Sequence, residues 1–190
     1  MAFSIDKFRS SFGQFEPAAP TNYEISIIRQ PKLMLVNGGT LMDDNNVENV
    51  FKYRCIACSI PGKMMNVSER LTYGPNRRIV TNSAYQDVTF SLIVSDDMKE
   101  KQYFTSWHDS IVNNAVSDNV YTHDVEYYNN YVGTVSIVQF KKDGNPSLAV
   151  ILEEAYPISV EEIPLGWEMN NDFIRINVTM AYRIWQTIKY

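Results

Sequence analysis

From Ile174 to Trp185 the chain is apolar at every second position. Ile174, Ile176, Val178, Met180, Tyr182 and Ile184 alternate with Arg175, Asn177, Thr179 and Arg183. A two-residue period puts one set of side chains on each face of a strand, so this stretch reads as a half-buried strand. The pattern recurs. Tyr23, Ile25 and Ile27 alternate with Glu24 and Ser26, and in Asp87–Val94 the residues Val88, Phe90, Leu92 and Val94 face in while Thr89 and Ser91 face out. Strands are also expected at Phe51–Ser59, with Phe51, Tyr53, Cys55 and Ala57 on one face, at Tyr131–Lys141 and at Leu148–Tyr156. Asp143-Gly144-Asn145-Pro146 is the turn that makes the last two a hairpin. Aromatic residues form 13% of the chain, Tyr alone occurring 12 times, and such side chains fit a pleated, half-buried surface. The reading is a mainly β chain, an antiparallel barrel or sandwich with one packed helix, folded as a single domain over residues 1–190.

The helix on that sheet is predicted to follow Ser95-Asp96-Asp97. Asp97 and Glu100 have capping-box spacing, and Tyr103, Phe104, Trp107 and Ile111 form a buried stripe. A short N-terminal helix is predicted from Ile5, Phe8, Phe12 and Phe15, capped by Ser4 or Asp6 and ended by Gly13, with the Pro-bearing 16–20 as its linker, so residues 1–20 form an arm. Gln30–Val50 reads as a turn and surface loop with room for a hairpin at Leu33–Val36, and Asn113–Asn130 as a polar connection. Pro61-Gly62 breaks the second strand. A long loop then runs over 62–85, with Tyr73-Gly74-Pro75-Asn76 as its turn and Arg77–Val80 as its return. Loops of that length in a compact domain usually have a function.

Motifs for chemistry are weak. Cys55 and Cys58 sit three apart on a predicted strand, which would point them to opposite faces, and they read as core packing, not as a metal or redox pair. His123 with Asp124 and Glu126 is a poor metal set. Ser110 lies two residues from His108 on a helix, pointing away from it. Glu153-Glu154 and Glu161-Glu162 are adjacent, so in strands their carboxylates diverge, whereas glycoside hydrolysis needs convergence. No phosphate loop and no Gly-x-Ser-x-Gly occurs, and the sequons at Asn66 and Asn177 have no meaning without secretion. No enzyme activity, cofactor or metal is expected. The net charge of −5, from 17 basic and 22 acidic residues, argues against a protein that grips nucleic-acid phosphates. Met1–Ser10 has no apolar signal core, and no apolar run approaches the roughly 20 residues of a membrane span. The monomer is expected to stay soluble in the cytoplasm and not to insert in membranes.

Several segments, in order, resemble the tail tube protein family of T4-type contractile-tailed bacteriophages. Phe3–Ile27 is similar to its helix, proline linker and first strand, and Arg54-Cys55 through Ile60-Pro61-Gly62 to its second strand and break. Val94–Lys101 leading to Phe104 and Trp107 is similar to its helix. The most specific stretch is Ala155–Val160 through Leu165-Gly166-Trp167, Asn170-Asn171 and Ile174–Trp185. Gln30–Val50 and Asn113–Asn130 are longer than compact members need, which leaves open a specialised tube-end ring.

The resemblance implies homohexameric rings whose sheets join into an inner barrel. The rings would stack into the tube of a contractile tail, assembled in the host cytoplasm and carried in the virion. It implies partners too: the tail sheath, the baseplate and tail terminator proteins, and, transiently in the lumen, the tape-measure protein and double-stranded DNA. On this reading 62–85 is an inter-ring loop, with Glu69, Arg70, Arg77 and Arg78 as ring-stacking candidates. Glu24, Asp87 and Glu153 are candidates for a polar, acidic lumen wall, with Arg175 and Arg183 showing that not every polar face can serve. The alternatives are a tube subunit of a phage-like injection or type VI-like secretion particle, or a baseplate-proximal tube-initiating ring.

Overall fold

The computed structural model describes residues 5–11, 17–29, 51–71, 73–113, 116–117, 120–121, 123–168 and 173–190. Its elements are α1 (Ile5–Ser11), β1 (Tyr23–Arg29), β2 (Cys55–Cys58), β3 (Lys63–Arg70), β4 (Arg77–Tyr85), β5 (Val88–Ile93) and α2 (Lys99–Ile111). There follow four two-residue strands, β6 (Val112–Asn113), β7 (Val116–Ser117), β8 (Val120–Tyr121) and β9 (Asp124–Val125), and the helical turn α3 (Tyr128–Tyr131). The chain ends with β10 (Gly133–Phe140), β11 (Pro146–Val160), β12 (Arg175–Ala181) and β13 (Ile184–Lys189). The fold is mainly β and antiparallel, as the alternation predicts. Gly13, Phe12 and Phe15, the loop Gln30–Val50 with Leu33–Val36, and Asn170-Asn171 lie outside the described residues.

One strand organises the sheet. The first part of β11 pairs with β10 on one side and β13 on the other, and its end from Tyr156 pairs with β12. The path runs β1-β10-β11-β12-β5-β2, with β13 branching from β11. Between the two parts sits Glu154, at φ 54°. It is the extra residue of a bulge, since Thr134 faces Glu153 and Gly133 faces Ala155. Glycine usually fills such a left-handed bulge position. Here the side chain is tied instead, Arg183 Nη1 donating to Glu154 Oε1 at 2.8 Å.

The inward residues form one core: Ile25 and Ile27, Val88, Phe90 and Leu92, Val135 and Ile137, Val150 and Leu152, and Ile176, Val178 and Met180. Helix α2 closes it with Tyr103, Phe104 and Trp107, and Ile111 packs at the margin. Trp107 is fully buried and its indole donates to the Tyr131 carbonyl at 2.8 Å, so its one polar atom is satisfied.

The structure corrects several expectations. Residues 51–54 are helical, and the strand begins only at Cys55. Phe51 turns in, edge-on to Phe104 with centroids 5.4 Å apart, while Tyr53 turns out, as a helical and not a two-residue period requires. The terminal alternation is two strands, not one. Arg183 N donates to the Glu153 carbonyl at 3.1 Å, bending the chain at 182–183, so that β12 lies beside β5 while β13 lies beside β11 and Ile184 is exposed. A bend between two strands leaves a period of two unbroken in sequence. The capping box at Asp97 is absent. Met98 occupies the N-cap without a side-chain bond, and Asp97 pairs with Lys99 Nζ at 2.7 Å. Glu100 instead reaches back two residues further, accepting from Ser95 N at 2.9 Å and Ser95 Oγ at 2.8 Å, and from Arg54. The polar connection Asn113–Asn130 contains β7, β8, β9 and most of α3, and the 62–85 loop is a two-stranded hairpin.

Candidate assembly interface

Strands β3 and β4 leave the body as an arm. Their ladder runs from Lys63 opposite Tyr85 to Arg70 opposite Arg77, and every residue of β3 is exposed. Gly74 takes φ 107° in the turn, a conformation that a Cβ would strain. The ladder alternation sorts the side chains. One face carries Tyr85, Met65, Val67 and Val80, then Glu69 opposite Arg78; the other ends on Arg70 opposite Arg77. Arg78 Nε lies 3.9 Å from Glu69 Oε1, an exposed and weak pair. The four ring-stacking candidates are therefore brought together, on the last two rungs of the arm. Beyond them Leu71 and Tyr73 are exposed at the tip.

The lumen candidates are not brought to one place. Glu24 on β1 and Glu153 on β11 share the outward face of the sheet formed with β10. Glu24 is bound by Lys52 Nζ at 2.8 Å, and Glu153 accepts from Gln186 Nε2 at 2.7 Å. Asp87 lies apart, exposed in the turn between β4 and β5. Arg175 stacks on Phe173, its guanidinium 4.4 Å from the ring centroid, and Arg183 is tied to Glu154.

A bulge in β2 pairs Cys55 with Leu92 and Cys58 with Phe90, so both thiols lie on the inward face, a correction to the opposite-face reading. Burial pushes Cys55 up to about 12, with Cys58 beside it adding to the rise, and burial pushes Cys58 up to about 11. Neutral thiols at the core margin are poor nucleophiles. Ser110 Oγ donates to the Trp107 carbonyl at 2.7 Å. His108 lines an open cleft of about 400 Å³ with Asp109, Ile111, Tyr156 and Pro157. Burial pulls its pKa below the ordinary value, against the opposing effect of the Pro157 carbonyl and Asp109. Among the described residues no three His, Cys, Asp or Glu converge as a metal site, and no helix is long and apolar enough to cross a membrane.

Exposed apolar side chains that pattern reading passed over sit between β11 and β12. Leu165 is largely exposed and Trp167 fully so, flanked by Glu162 and Glu168. Two large apolar residues in a Pro-Gly turn were the available signal.

Open strand edges accompany these surfaces. Among the described residues the outer edges of β1, β2 and β13 have no strand partner. Such edges are templates for pairing with another chain.

No curated protein matches the chain. Similar solved structures are a chain of the six-fold symmetrised anti-feeding prophage baseplate (12% identity, 92% of this chain and 97% of that one, TM-score 0.62) and a chain of the sheath–tube complex of the PVC extracellular contractile injection system (14% identity, 100% of both chains, TM-score 0.60). A third comes from the sheath/tube terminator of that system (13% identity, 93% and 99%, TM-score 0.60). At those identities the likeness is one of fold. A family model described as phage tail tube protein matches residues 18–188, nearly the whole architecture described above, and the chain belongs to the phage tail tube protein family.

Proposed function

We propose that the chain is the tube subunit of a contractile bacteriophage tail. As one domain, it closes with other copies into hexameric rings; the rings stack into a tube inside a sheath, and the tube conducts the genome. The family match over residues 18–188 carries this reading. The exposed β3–β4 arm and the open edges of β1, β2 and β13 support it, because each is a surface that a second copy can cover. The similar chains from a sheath–tube complex, a tube terminator and a baseplate support sheath, terminator and baseplate as partners. The role is mechanical, with no catalytic step, and the site of action is the virion tail after assembly in the host cytoplasm. The tape-measure protein and double-stranded DNA occupy the lumen in turn.

Those same likenesses to chains of injection particles favour a second reading, in which the tube belongs to a phage-like injection particle and holds no DNA in its lumen. Electron microscopy of the purified protein tests the assembly: rings and tubes are expected, and a strictly monomeric species at high concentration would overturn it. Genes for capsid and packaging proteins beside this one would decide for the phage; their absence would favour the injection particle.

A further inference from the structure

The arm and the loop between β11 and β12 lie at opposite ends of one half of the sheet. Strand β5 starts at Val88, beside Met180, and ends at Ile93, beside Arg175. The arm roots at the Val88 end, where Tyr85 contacts the Tyr182 ring with centroids 6.0 Å apart and Tyr182 Oη donates to the Gln86 carbonyl at 2.8 Å. The loop lies at the Ile93 end, following Val160 and preceding Arg175. Six residues of strand, roughly 20 Å, separate the two ends.

The two ends are complementary. The arm carries Arg70 opposite Arg77, like charges facing across the ladder, with Leu71 and Tyr73 exposed beyond them. The loop carries Glu162 and Glu168 around the exposed Leu165 and Trp167. An exposed tryptophan with acidic residues on either side in sequence has the composition of an interface anchor.

We propose that the loop over 161–168 of one copy is the seat for the arm tip of another. Tyr73 and Leu71 pack on Trp167 and Leu165, and Arg70 and Arg77 face Glu162 and Glu168. The contact rests on the ring-stacking reading of the arm and names its receiving surface. A basic end on an acidic one is a head-to-tail contact that leaves a free end of each kind, so it propagates along the strand axis.

Charge reversal tests it. Arg70→Glu with Arg77→Glu, and separately Glu162→Lys with Glu168→Lys, should each raise the critical concentration for tube growth roughly tenfold. Mixing the two double variants should restore growth at the contact between unlike copies, giving pairs or alternating stacks that neither forms alone, and combining all four reversals in one chain should restore tubes to within about twofold. Trp167→Ala should weaken growth without lowering the monomer melting temperature, which reads folding independently. If only the arm variants impair growth and the four reversals are no better, the receiving surface is elsewhere while the arm reading stands. If the arm variants grow normal tubes, both fail.

Discussion

Trp107 is the largest fully buried side chain of α2. Trp107→Ala should cost about 3–5 kcal/mol, because it opens a cavity and strands the Tyr131 carbonyl. A chemical melt checks it; unchanged stability would contradict the placement of α2 on the sheet. Glu100 depends on its partners in the same way. Burial pushes its carboxyl up, but bonds from Ser95 and the charge of Arg54 outweigh burial and hold it below its ordinary 4.5. A carboxyl depressed on folding contributes stability that is complete above the unfolded value and is lost as pH falls through the folded one. Arg54→Ala raises the folded value, so acid unfolding should begin at higher pH. At neutral pH the loss should be about 1–2 kcal/mol, since Arg54 is partly exposed. A pH titration of the melting temperature reads both. Sequence pattern found Trp107 because a helical stripe is local. It missed the partner of Glu100, because Arg54 lies 46 residues away and only the fold joins them.

At the scale of elements, the arm is separable from the body: its exposed strands hold little of the core. Replacing Arg77 and Arg78 by Glu should leave the melting temperature within a degree or two and weaken tube growth. Sedimentation with circular dichroism reads the two effects, and normal tubes would remove the arm from ring stacking. Strands with a clean two-residue period, β5 and β12 above all, were legible, and so was the turn at Gly144. Phe51–Ser59 was not, because Phe51 is buried whether its backbone is helical or extended. The arm read as a loop because both its faces are exposed and alternation therefore carries no signal. The bend at 182–183 was hidden because the apolar alternation runs through it in sequence, although burial stops there: β12 is buried at every second residue and β13 is mostly exposed. Leu165 and Trp167 entered only through the family resemblance, and their exposure was not legible, because an exposed apolar residue breaks no local rule.

At the scale of the whole molecule, the wall of a genome-conducting tube should be polar and acidic. Each phosphate neutralised by Lys or Arg releases counterions and adds affinity, which would hold DNA in place. Assembled tubes should therefore show no salt-sensitive binding of duplex DNA in the channel, with Glu24 and Glu153 on the face that the sheet of β1, β10 and β11 presents. An electropositive channel in a tube reconstruction would refute this. The long strand β11, with its bulge at Glu154, has a mechanical meaning as well. Its 15 residues are one covalent rod shared by both parts of the sheet. A pull along the rod loads the ladders to β10, β13 and β12 in shear, many hydrogen bonds at once, not peeled one by one. A subunit built around such a rod should yield last along its own strand axis, so in an assembled tube tension would be borne by the backbone before it reached the side chains.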